Sequence, residues 1–562
     1  MVQRPSLTTT TIKMIISTAV LAALLQLAPA AGASTPIQSP AKVTRAPSLW
    51  VPTPARITIE LGEDPTITAH RTVALEGALL TRDGEVPVAR RLSLALPDGT
   101  VVEAELDQAS GLPSGADLWS GHLRGRADAP VTFVRFGDAV AGTVRRGTEL
   151  FRVRYGGPGT HVISAHQEDN FPTCGTGSAH ARPASGEHSA TAPPPNAPGA
   201  PGAPGAGAQD TADVLVVYSP QARSAQGGHN AVKALIELAV AETNQAYENS
   251  GADLRLRLVH MVQTDDEDST FSNNLSDLRG QNDGRYDEVH ALREQYGADL
   301  VALIVRDTDY CGQAYLMTNV SHSFRNWAFS VTSHICATGY YTFGHELGHN
   351  MGCAHDRDNA SSGAYAYSFG YRTPNNYFRT VLAYSPGSRI PYFSTPDRSF
   401  QGYPLGIAHP DQDSAHNTRG LNTAADTISG WRCAVPETYG DPMVTSGFDQ
   451  FVLDYTGTAE ENGSGNLELQ ASGGLAGQIS IFFYGVAATD TPLLGGTLLV
   501  SSPQRGALRS LNAQGQSSWR ILDDLPVSAG QSWFVQVFAR DPSNPAGFGA
   551  VLSNALRIDI CD

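Results

Sequence analysis

The spacing of apolar residues divides this chain into stretches of different character. "RLSLALPDGTVVEAEL" (Arg91 to Leu106) alternates apolar and polar residues on both sides of Pro-Asp-Gly, which predicts strand, turn, strand. "VTFVRFGDAVAGTV" (Val131 to Val144) and "ELFRVRY" (Glu149 to Tyr155) repeat the period-two pattern, and the block ends near "NFPTCGTG" (Asn170 to Gly177). "PPPNAPGAPGAPGAGA" (Pro193 to Ala208) follows. It has too little to bury to fold, so it reads as an exposed tether.

Beyond the tether the pattern changes. "ADVLVVYS" (Ala212 to Ser219) predicts a short buried strand, and "NAVKALIELAVAETNQAY" (Asn230 to Tyr247) places Val232, Leu235, Ile236, Ala239 and Thr243 on one helical face. "ADLRLRLVHMV" reads as a strand, Asp287 to Tyr296 as a helix ended by Gly297, and "ADLVALIV" (Ala298 to Val305) as a buried strand. Strand and helix in alternation predict an α/β domain. From Glu437 onward "QISIFFYGV", "GGTLLVSS", "SWFVQVFARD" and "LSNALRIDI", spaced by turn residues, predict a β-sandwich. Aromatic residues there, such as Trp533 and Phe538, are expected in its core rather than on a carbohydrate-binding platform.

A length of 562 residues exceeds one ordinary domain. Arg4 and Lys13, the apolar run Met14 to Leu27 and Ala31-Gly32-Ala33 predict a cleaved export signal. The run is shorter than the ~20 residues of a membrane span. Net charge is −17, and Lys13, Lys42 and Lys233 are the lysines of the whole chain. An acidic surface without a basic stripe argues against nucleic acid or anionic membrane as a partner. Six cysteines in an exported chain are available for disulfides.

The densest chemistry is "GHELGHNMGCAHD" (Gly344 to Asp356). Thr338 to Gly352 is readily helical, with Thr338 as a candidate N-cap. His345 and His349, four apart, leave one helix face and can share a metal. Glu346 sits at the edge of that face, where it can act on a water at the metal. Gly352 lets the chain leave the helix at positive φ and return His355 as a third nitrogen ligand. Three neutral imidazoles with one position open are the pattern of a catalytic zinc site. A chance cluster of histidines is the plain alternative, and the added glycine and third histidine weigh against it.

These residues resemble the metzincin zinc metalloendopeptidases, HExxHxxGxxH, and Asp356 after the third histidine resembles the reprolysin (adamalysin) branch and its bacterial relatives. "CGQAYLM" (Cys311 to Met317) resembles the family's substrate-binding edge strand, "TVLAYSPGSRIPYFSTPD" (Thr380 to Asp397) its Met-turn and S1′ pocket wall, and "LWSGHLRG" through "FPTCG" its propeptide. The resemblance implies zinc on His345, His349 and His355, Glu346 as general base, and Gln313, Ala314, Tyr315, Pro391 and Tyr392 along the substrate. Tyr384 stands where related metzincins keep a zinc-linked tyrosine; packing is its other reading. Cys174 resembles a cysteine switch, the alternative being a propeptide disulfide. Leu382 replaces the Met-turn methionine, keeping the apolar floor and losing the sulfur. Cys311 and Cys336 can pair; Cys353, Cys433 and Cys561 are left open.

The expected architecture is therefore multidomain: signal 1–33, β-rich propeptide 34–175, linker 176–209, α/β (α+β) catalytic domain 210–436 with a mixed twisted sheet and active-site helix, and β-sandwich 437–562. The expected function is a secreted, monomeric zinc endopeptidase made as a zymogen. Its partners are a polypeptide substrate and its own propeptide as inhibitor, with no nucleic acid and no membrane after signal cleavage. Zinc is the expected cofactor, with structural calcium as a second candidate. A zinc hydrolase of cell-wall peptides or amides, and a non-catalytic adhesin with a degenerate protease domain, are the competing readings; retention of Glu346 weighs against the second.

Overall fold

The computed structural model describes residues 46–51, 64–80, 88–177, 210–433, 435–459, 467–525, 528 and 531–561. The expected export signal and the Pro/Gly/Ala-rich tether lie outside them. No helix among the described residues is long and apolar enough to cross a membrane.

The alternating block before Tyr155 belongs to a nine-stranded sheet. Arg91–Ala95 and Val101–Gly111 pair antiparallel with Ala95 opposite Val101, and Gly99, at φ 85°, makes the tight turn between them. The meander continues strand by strand to His161–His166, which pairs with Ile67–Leu75. Inward residues such as Leu94, Trp119, Val131, Phe133 and Val153 form its core, as period-two alternation requires.

The α/β prediction corresponds to a five-stranded sheet in the order Leu254–Gln263, Asp210–Tyr218, Leu300–Val305, Phe329–Ser333, Gly312–Ala314. The first four strands are parallel, and Gly312–Ala314 runs antiparallel at the edge. Leu300–Val305 is buried throughout, which is why it reads as an unbroken apolar run. The helix His229–Ser250 buries the predicted face against this sheet. It also buries Ala234 and Leu238 against Val134 and Ala141 of the nine-stranded sheet. A helix apolar on two faces is one sandwiched between layers, and this one joins the two sheets.

After Glu437 a five-stranded sheet and a three-stranded sheet share one core that includes Phe451, Leu469, Phe482, Trp519, Val535 and Ile558. Trp533 packs half-buried on Tyr484, with ring centroids 5.2 Å apart. Disulfides join Cys311 to Cys336 and Cys433 to Cys561, while Cys174 and Cys353 are free.

Candidate metal centre

The helix that carries the histidines spans Thr342–Asn350, four residues shorter at its start than expected. Gly339 and Tyr341 adopt φ of 71° and 58°, left-handed conformations that cannot belong to an α-helix. Thr338 is therefore no N-cap; its hydroxyl accepts from Arg152 at 3.4 Å, and the Gly339 N–H donates to Glu242 at 2.7 Å. At the other end Gly352, at φ 89°, turns the chain out, and His355 returns on the short strand Ala354–Asp356.

The three Nε2 atoms converge at 3.0 to 3.2 Å from one another. His345 Nδ1 lies 2.7 Å from the Val381 carbonyl and His349 Nδ1 2.8 Å from that of Cys353. A carbonyl only accepts, so those Nδ1 atoms carry the protons and the Nε2 lone pairs face inward. Burial pushes His349 down to about 4 and takes His345 and His355 well below the ordinary histidine range. Converging lone pairs on neutral imidazoles repel unless a cation sits among them. The donor set thus fits a small cation with nitrogen ligands, as zinc is. Cys174 Sγ completes the cluster: one ligand atom from each of the four residues lies within 4.8 Å of the others.

Glu346 is fully buried. Its Oε2 accepts from the Thr176 hydroxyl at 3.2 Å and from Cys174 Sγ at 3.6 Å, while Oε1 has no partner among the described residues. Burial pushes its carboxyl up to about 8. The Tyr384 hydroxyl donates to the Cys174 carbonyl at 2.8 Å, its backbone N–H donates to Asp356 at 2.8 Å, and its ring lies 4.1 Å from that of His355. Leu382 is fully buried below the helix: a β-carbon placed on Gly348, beside His349, would meet it at 3.2 Å.

Gly312–Ala314 is an edge strand as expected, but it is not exposed. Residues 173–176 lie along it, with Cys174 paired in parallel to Gly312. Cys311 N–H donates to the Thr173 carbonyl, and Gly175 N–H donates to that of Gly312, at 2.9 and 2.7 Å. The Gln313 side chain donates to the Gly175 carbonyl at 3.3 Å, and Ala314 N–H donates to Thr176 Oγ1 at 2.8 Å. Unpaired edge groups attract another strand, and here the same chain supplies it. Tyr315 is packed away from this line, edge-on to Trp327 at 5.1 Å. The Pro391 carbonyl accepts from Asn249 at 3.1 Å, and Tyr392 packs on Phe400 with ring centroids 5.8 Å apart.

Residues 208–394 match the family described as Reprolysin_5, Metallo-peptidase family M12. The peptidyl-Asp metalloendopeptidase of Xanthomonas campestris pv. campestris is 31% identical over 406 residues, covering 69% of this chain and 92% of that one.

The chain belongs to the M12 metallopeptidases.

A second relative, the peptidyl-Asp metalloendopeptidase of Stenotrophomonas maltophilia, is 32% identical over 357 residues, covering 59% of this chain and 81% of that one. Among solved structures, metalloproteinase-II from Bacteroides fragilis superposes with a TM-score of 0.32 at 10% identity, over 55% of this chain and 88% of that one; a likeness this loose carries no weight. As an M12 metallopeptidase the chain is a zinc-dependent endopeptidase acting on polypeptides. Among the described residues the histidine and cysteine group is the one metal-ligating cluster, so structural calcium finds no support.

Sequence reasoning missed several residues of the metallopeptidase centre. Thr176 was legible only as a hydroxyl two residues after Cys174. Gly312 is masked as an ordinary glycine of "CGQAYLM". Glu168 and Arg379 carried no motif at all: Glu168 Oε2 accepts the Arg389 backbone N–H at 2.7 Å and lies 3.8 Å from Arg379 Nη2.

Proposed function

We propose that this M12 metallopeptidase is exported as a zymogen, with residues 34–175 as its inhibitor, 210–436 as its catalytic domain and 437–562 as an accessory module. The observation that carries the reading is Cys174, whose sulfur joins the three imidazole nitrogens while its strand fills the edge of Gly312–Ala314. A soft sulfur donor at the one position left by three histidines competes with water for the metal. Two disulfides support export to an oxidising compartment.

His345, His349 and His355 would hold the zinc, which supplies Lewis acidity, acidifying water and polarising a peptide carbonyl. Once residues 173–176 withdraw, the amide and carbonyl groups of Gly312–Ala314 are free to align an extended peptide by strand addition. Glu346 then loses its Cys174 and Thr176 donors and faces the cleft. Its carboxylate takes a proton from the attacking water and returns it to the departing amine nitrogen. Tyr384, freed from the Cys174 carbonyl, can donate its hydroxyl to the oxygen on which charge develops. The relatives are named for action at aspartate, and we extend an acidic preference to this chain.

The test is Glu346→Gln in the processed enzyme. Zinc content should match wild type while peptide cleavage falls below detection, because the nitrogen donors are untouched. Turnover retained at equal zinc content removes Glu346 from the reaction.

A further inference from the structure

Arg379 is fully buried and Arg389 is 4% exposed. Their guanidinium groups share the Ala383 carbonyl, at 3.1 and 3.4 Å, and flank the Tyr340 ring at 5.3 and 4.2 Å from its centroid. Two buried cations this close repel, and each is costly without an anion. Burial, and then Arg379, brings the Arg389 guanidinium down to about 10. Carbonyl oxygens satisfy some of their hydrogens but carry no charge, and Arg389 Nε has no hydrogen-bond partner among the described residues.

The carboxylate that reaches this pair is Glu168. It contacts the Arg389 backbone and Arg379 as given above, and also pairs with Arg145 of the nine-stranded sheet. No carboxylate from residues 210–433 lies within 4.0 Å of either guanidinium among the described residues. Phe171, on the same segment, stacks on Tyr340 at 4.3 Å. When residues up to 177 depart, Glu168, Arg145 and Phe171 leave together. Arg379 and Arg389 stay behind with no counter-ion.

Direction fixes which part of a substrate meets them. The inhibitory segment runs parallel to the edge strand, so residues preceding Cys174 lie on one side of the histidines and Gly175 and Thr176 on the other. A substrate lying antiparallel to that edge runs the opposite way. Its residue after the scissile bond therefore falls on the side of Phe171 and Glu168.

We infer that Arg389, backed by Arg379, is the receptor for a side-chain carboxylate on the residue following the scissile bond, and that Glu168 fills this receptor in the precursor. The inference rests on the endopeptidase reading above, in which the segment leaves the cleft. It makes Glu168 a substrate mimic read in reverse, and Arg389 a specificity residue rather than a brace for the Ala383 loop.

The experiment compares kcat/KM of the processed enzyme on matched peptides carrying Asp, Glu, Asn or Ala after the scissile bond. A charge-assisted contact in a buried site should give an Asp-over-Asn preference of at least ~100-fold. Arg389→Gln should bring that ratio to within ~10-fold, whereas loss of a mere brace would lower all four peptides in proportion. Arg389→Lys keeps the charge without the fork and should give an intermediate ratio. If neither folds, the same panel on Arg379→Lys decides, with a reduced ratio expected. Wild-type enzyme that cleaves without acidic preference, or variants that keep the full ratio, overturn the receptor. Failure of zinc-loaded wild-type enzyme to cut any peptide overturns the endopeptidase reading instead.

Discussion

A β-carbon on Gly312 would lie 2.5 Å from the carboxylate oxygen Oε1 of Glu346. The edge strand and the active helix thus meet at a glycine because the carboxylate needs the space. The second obstacle, Glu346 Cγ, is also at 2.5 Å, so a rotation of the carboxylate alone does not relieve the clash. Gly312→Ala should push Glu346 off its position while leaving the histidines in place. We expect kcat to fall ~100-fold or more, since a misplaced proton acceptor loses most of its effect. Zinc content by atomic absorption should be unchanged. Wild-type kcat in this variant would show that the position of Glu346 does not matter.

Cys174 holds the segment at the metal centre, and Tyr384 and Thr176 fasten its two sides. Cys174→Ala removes the sulfur and leaves those hydrogen bonds. The uncut chain should then gain activity, by roughly tenfold or more, without any change in its mass on a denaturing gel. An uncut variant as silent as wild type would make inhibition a matter of steric cover and Glu168.

Leu382, which the resemblance puts in place of the Met-turn methionine, is fully buried against the helix that carries His345 and His349, so substitutions there are easy to interpret. Leu382→Met keeps volume and should cost under ~1.5 kcal/mol with little change in turnover. Leu382→Asp places an unpaired charge against Gly348 and Phe393 and should cost at least ~3 kcal/mol, with zinc loss. Melting curves with and without chelator separate the two effects. A Leu382→Met protein many times faster than wild type would mark the natural leucine as a defect.

Acid should weaken the packing of the nine-stranded sheet. Burial brings His161 down to about 4, and its Nε2 accepts the Val140 N–H at 3.0 Å, a bond that requires the neutral ring. The unfolded chain binds that proton near pH 6.5, so stability is whole above 6.5 and is lost as pH falls toward 4. The single-site loss approaches about 3 kcal/mol. Burial depresses His166 and His334 as well, and they add in the same direction. Thermal melts of the uncut Glu346→Gln chain from pH 7 to 4.5 should slope downward, and less steeply in His161→Gln. A flat profile would contradict the burial of these rings.

The sequence was most readable where one physical demand set the residue. Period-two alternation placed the strands Arg91–Ala95 and Glu149–Tyr155, and the four-residue spacing of His345 and His349 placed both rings on one face. It was least readable where the partner is remote. Ala234 and Leu238 look like ordinary helix residues until a second sheet covers them. Tyr341 carries no sign of its left-handed φ, which a buried loop imposes, so the helix start was misplaced. Glu168 and Arg379 meet across more than 200 residues, a distance over which no local pattern speaks.

The bond between Cys433 and Cys561 spans 128 positions, from just after the helix Asn417–Ser429 to the end of the described chain. Everything between is therefore a closed loop rather than a tail. A protease that nicks it once, this enzyme included, opens the ring but sheds nothing. The severed piece stays attached by sulfur, and two cuts or a reductant are needed to let it go. Maturation by trimming at this end would be invisible on a non-reducing gel and plain on a reducing one.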